Sequence, residues 1–69
     1  MEIRWIGNYE IYVRIDRNTA VISANRDGLL SLARQLIDMA DEVPGTHIHY
    51  DDSNSLEEGS SELIIEKTE

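Results

Sequence analysis

Apolar and polar residues alternate over Tyr9, Ile11, Val13 and Ile15, with Glu10, Tyr12, Arg14 and Asp16 on the opposite parity. A period of two built from β-branched and aromatic residues predicts a half-buried strand over 9–16. Ile3 and Trp5 alternate in the same way and predict a strand over 2–6; Gly7–Asn8 resets the phase, as a bulge or tight turn inside one longer strand would. Asp16–Arg17–Asn18 is a turn sequence, because Asp and Asn side chains bond their own backbone. Thr19–Ala24 is then the returning arm of an antiparallel hairpin.

The period changes after Ala24. Leu29, Leu30, Leu32, Ala33, Leu36, Ile37, Met39 and Ala40 recur at i, i+3 and i+4, predicting a helix over about 28–42 with a broad apolar stripe toward the core. Asn25 or Asp27 supplies the N-cap and Pro44–Gly45 the stop. Asp41 and Glu42 fall at the C-terminal end, where the helix dipole disfavours negative charge, which suggests a surface use for them.

Alternation returns over 46–51, with His47, His49 and Asp51 on one face and Ile48 and Tyr50 on the other. Leu56 stands alone between polar stretches, a plug for the core edge, and Glu57–Glu58–Gly59–Ser60 is a turn. The last predicted strand, 62–67, carries Leu63, Ile64 and Ile65 in succession, as a strand buried on both faces or covered by a partner would. The order β-β-α-β-β predicts a single α+β domain over residues 1–69, a four-stranded sheet with one helix packed on one face. The other sheet face has no second layer and is solvated or an interface.

Charge sharpens this picture. The 69 residues carry a net charge of −8, but five arginines against four acids leave residues 1–34 at +1, whereas Lys67 against ten acids leaves 35–69 at −9. Such a field steers a basic partner and repels nucleic acid. A domain this small has no room for both a core and a deep substrate cavity. There is no cysteine, so disulfides and thiolate zinc sites are excluded, and the composition suits a cytoplasmic protein. The charged N-terminus lacks the pattern of a signal peptide, and no apolar run reaches the ~20 residues of a membrane span.

Catalytic and metal motifs are weak. His47, His49 and Asp51 can in principle meet one ion, but a complete site needs further ligands, and a polar strand face accounts for the pattern. No nucleophile triad, phosphate loop or zinc motif accompanies the histidines, and Asp51–Ser55 departs from calcium-loop spacing. The expectation is a non-enzymatic protein with no cofactor and no metal. Tyr12 and Arg14 are the pair expected at a self-contact, since exposed tyrosine and arginine are favoured interface residues. The acids at the helix end, strand end and turn are expected to gather on one rim beside the open sheet face.

Three blocks resemble a known family. Asn25–Arg26–Asp27–Gly28–Leu29–Leu30–Ser31–Leu32–Ala33 is similar to the N-R-E-G-L-x-x-L-A segment of the bacterial immunity protein 32 family. His47–Ile48–His49 matches its histidine-x-histidine strand, and Leu56–Ile65 its L-E-x-G-S-x-E-L-x-I ending. Asp27 and Tyr50 depart from the glutamate and leucine common there. The resemblance implies a small cytoplasmic immunity protein that neutralises a cognate toxin. The familiar residues also have structural readings: Gly28 at the helix start, Leu29 and Ala33 in the core, Gly59 in the turn. The partner-binding residues expected are Asp41, Glu42, His47, His49, Asp51, Asp52, Glu57, Glu58, Tyr12 and Arg14. The alternative is a homodimeric structural or regulatory module.

Overall fold

The computed structural model describes residues 1–69 and has the element order β1 (Ile11–Asp16), β2 (Thr19–Ala24), α1 (Arg26–Ala40), β3 (His47–Tyr50) and β4 (Leu63–Glu66). The hairpin pairs Val13 with Ile22 and Asp16 with Thr19, turning through Arg17 at φ 58°. The helix starts one residue after Asn25, whose side chain accepts the Gly28 N–H at 2.8 Å, so Asn25 rather than Asp27 is the N-cap.

The expected single four-stranded sheet does not form. There are two two-stranded antiparallel sheets, β1–β2 and β3–β4. The free edge of β1 meets residues 57–61 instead of β4. Glu57 N–H donates to the Ile11 carbonyl and Ser61 N–H to that of Val13, both at 2.8 Å, while Val13 N–H donates to Ser60 Oγ. Gly59 sits between these contacts at φ 88°, a left-handed conformation that breaks the extended chain and stops a ladder. Both sheets still turn one face to a common core of Ile11, Val13, Leu32, Met39, Ile48, Tyr50 and Leu56. Leu56 is thus the plug its isolation predicts.

The expected strand over 2–6 is also absent. The backbone of this segment bonds to helix side chains, not to a strand. Ser31 Oγ accepts the Ile6 N–H at 2.8 Å, and Gln35 Nε2 donates to the Arg4 carbonyl at 2.9 Å. Gln35 Oε1 in turn accepts from Tyr50 Oη at 2.7 Å. Ser31, Gln35 and Tyr50 are almost wholly buried, and burial pushes the Tyr50 phenol above its usual range. Trp5 stacks on Tyr9 with centroids 4.3 Å apart and meets Tyr50 edge-on.

This polar bracket shifts the buried face of the helix: Leu32 and Met39 of the expected stripe stay in the core, but polar residues join them. The buried residues of α1 are Gly28, Ser31, Leu32, Gln35 and Met39, whereas Leu29 and Ala33, expected in the core, are exposed. Ile64 is exposed too, because β4 is covered on one face only. The carbonyls at the helix end are satisfied from far away in sequence: Lys67 Nζ donates to those of Ala40 and Glu42, both at 2.7 Å. The lone cation of the acidic half therefore offsets the unfavourable placement of Asp41 and Glu42 against the dipole.

Candidate partner-binding face

The connection from β3 to β4 is long but closed by its own polar side chains. Asp51 Oδ1 accepts the N–H groups of Ser53 and Asn54, and the Asp51 carbonyl accepts those of Ser55 and Leu56. Asp51 is thereby committed to its own turn and does not join His47 and His49. Asp52 Oδ2 accepts the Gly59 N–H at 3.2 Å, tying the two ends of the connection together. With Leu56 buried and residues 57–61 clamped to β1, Glu57 and Glu58 project from a backbone fixed on both sides.

Tyr12 lies against this turn. It stands on the hairpin face opposite Ile11 and Val13, 37% exposed, and a Cβ placed on Gly59 would lie 3.9 Å from its ring and hydroxyl. Glu57 and Tyr12 also border a shallow hollow of about 320 Å³ with Glu10 and Asn25. A second hollow, of about 390 Å³, runs from Tyr9 to Asp52 and Glu57. Tyr12, Glu10, Asp52, Glu57 and Glu58 thus form one acidic patch around an aromatic ring. Arg14, two residues along β1, shares the face of Tyr12.

The other acids lie elsewhere. Asp38, Asp41 and Glu42 border a hollow of about 350 Å³ with Glu2, Arg4 and Arg34. Glu57 borders the N-terminal end of α1, at Asn25, and Asp41 caps its C-terminal end, about 24 Å away at 1.5 Å per residue. The acids therefore form two groups and not one rim, because the connection folds back over β1 at the opposite end of the helix. The second group is also partly neutralised by its two arginines.

His47 and His49 occupy the outer face of β3, beside Ile64 and Glu66 of β4. Their rings meet at 67° with centroids 5.0 Å apart. His47 Nδ1 bonds the Gly45 carbonyl, and His49 Nδ1 lies 3.4 Å from Glu62 Oε2. No three His, Asp or Glu side chains converge as a metal would require.

The shared motif residues now have physical roles. Asn25 Oδ1 accepts both the Gly28 and Glu10 N–H groups, and its Nδ2 donates to the Asn8 carbonyl. Asp27 Oδ2 accepts the Asn8 N–H. Gly28 brings the helix against β1, where a Cβ would lie 2.5 Å from the Glu10 carbonyl oxygen. Residues 19–68 match the family model described as Immunity protein 32.

The chain belongs to the immunity protein 32 family.

Comparison with curated proteins and with solved structures gives no match. In this family member the N-R-D-G segment ties the helix start to residues 8–10, and the Gly-Ser of the ending ties the last connection to β1. Both blocks are brackets for the fold. Glu57 and Glu58, which the second bracket projects, are exposed. No helix is long and apolar enough to cross a membrane.

Proposed function

We propose that this immunity protein neutralises a cognate toxin by binding it directly and covering its working surface, acting in the cytoplasm and carrying out no chemistry of its own. The observation that carries the reading is the turn patch. Glu57 and Glu58 are exposed carboxylates on backbone held by hydrogen bonds to β1, and the exposed Asp52 carboxylate beside them accepts the Gly59 N–H, around the half-exposed ring of Tyr12. Carboxylates on an anchored backbone suit a basic surface, such as a cleft built for phosphate, because they steer encounter and the turn that carries them is already ordered before docking. The aromatic ring supplies a central anchor. Arg14, on the face of Tyr12, and His47 and His49, on the outer face of β3, contribute to orientation on the partner. Asp41 and Glu42, at the far end of the helix, lie outside it and act only through the long-range field.

The test begins with affinity capture of the bound protein from the native host at low salt. Association of that protein is then measured with the wild-type chain and with a variant carrying Glu57→Lys and Glu58→Lys, whose side chains hold no part of the turn. The expected result is an on-rate reduced by about 10- to 1,000-fold at low salt, converging as salt rises. An unchanged on-rate overturns the assignment of the face. Capture without loss of the partner's toxicity overturns neutralisation.

A further inference from the structure

The outward side of α1 is more apolar than its inward side. At about 100° per residue, Leu29, Leu30, Ala33, Leu36, Ile37 and Ala40 share one sector, and all six are exposed. Ile37 is 65% exposed and Leu29 55%. An amphipathic helix in an isolated domain places these sides the other way round. Here the inward positions are taken by Ser31 and Gln35, which hold the N-terminal segment and Tyr50. The accessible surface, 4876 Å², exceeds by about a tenth the roughly 4,400 Å² expected of a monomer of 7.9 kDa.

We propose that a second copy of this chain covers this face, the two helices crossing antiparallel about a two-fold axis at Ala33. The small side chain at the centre lets the helices approach closely. The same symmetry brings Leu29 to the partner's Ile37 and Leu30 to the partner's Leu36, a self-complementary contact of the kind a two-fold requires. Charge selects the direction. Arg26 lies at one end of the sector and Asp41 at the other, and neither is in an ion pair within the chain. An antiparallel crossing sets Arg26 against the partner's Asp41 twice, whereas a parallel one sets like charge on like. The helix dipoles also favour the antiparallel arrangement. A basic toxin would find no carboxylate within the sector, so a second copy fits it better. This assembly leaves the turn patch free and does not depend on the toxin reading.

Sedimentation equilibrium of the full chain tests the proposal. The wild type is expected at twice 7.9 kDa in the micromolar range, and Ile37→Glu at the monomer mass with its helical circular dichroism retained. Arg26→Glu and Asp41→Lys, each alone, are expected to weaken the dimer at least ~10-fold by opposing like charges across the two-fold. An equimolar mixture of these two variants regains the wild-type constant, because both cross-contacts are again opposite in sign. A monomeric wild type, a dimer that survives Ile37→Glu, or a mixture that shows no recovery overturns it. Arg26 and Asp41 are exposed, so the mixing experiment decides the matter even if Ile37→Glu fails to fold.

Discussion

Replacing Gly28 with alanine should destabilise this protein, although the same change in an ordinary helix stabilises it by about 1 kcal/mol. The new methyl group would lie 2.5 Å from the Glu10 carbonyl oxygen, 2.9 Å from Ile11 Cγ1 and 3.1 Å from Ala24 Cβ. The nearest of these is backbone and cannot swing aside. That carbonyl accepts the Asn25 N–H at 3.1 Å, and the Asn25 side chain holds the Glu10 and Gly28 N–H groups at 3.0 and 2.8 Å. Relief requires the helix start to lift away from β1, stretching the two bonds between Asn25 and Glu10. Overpacking of this kind costs about 1–3 kcal/mol, and one weakened hydrogen bond adds about 1 kcal/mol. After the propensity gain, the net loss is about 1–3 kcal/mol. With a urea slope of roughly 1 kcal/mol per molar for so small a chain, the unfolding midpoint should fall by about 1–3 M. Urea titration followed by circular dichroism reads this directly. A midpoint equal to or above that of the wild type would falsify the close approach of helix and strand.

Two further outcomes follow from contacts distant in sequence. Lys67→Met keeps much of the aliphatic stem but leaves the Ala40 and Glu42 carbonyls without their cation, and thermal unfolding should show a loss of about 1–2 kcal/mol that shrinks in high salt. Tyr50 is held neutral by burial, so its folded pKa exceeds its unfolded one. Its contribution is complete below about pH 10, the ordinary tyrosine value, and is lost as pH rises through the folded pKa. Tyr50→Phe should therefore be less stable than the wild type near neutrality, having lost the bond to Gln35, but show a shallower decline above pH 10 in a pH series of urea midpoints; parallel curves would refute the linkage.

The first hairpin and the helix were legible because local rules govern them. Alternation from Ile11 to Ile15 marks β1, and Asn25 is a strong cap wherever it occurs before an apolar run. The outer pair His47/His49 and the inner pair Ile48/Tyr50 were assigned to the correct faces by period alone. The acids near Glu57 were legible as a surface turn, but their separation from Asp41 and Glu42 was not, since chain order does not show which end of the helix a connection folds over. The strand over 2–6 failed for a related reason. Ile3 and Trp5 do alternate, but the backbone of the segment, at Arg4 and Ile6, bonds to Gln35 and Ser31, residues that look like the solvent side of a helix.

The sequence by itself determined the hairpin, the helix and the two later strands, their order and the parity of β1 and β3, because backbone hydrogen bonding and side-chain alternation act over a few residues. The tertiary structure decided what each face touches. Left-handed Gly59 divides the sheet in two, Lys67 completes the helix end from 25 residues beyond Glu42, and a bracket of Ser31, Gln35 and Tyr50 turns polar side chains inward. Those choices depend on satisfying buried polar groups between distant segments, and they leave the apolar side of α1 facing outward.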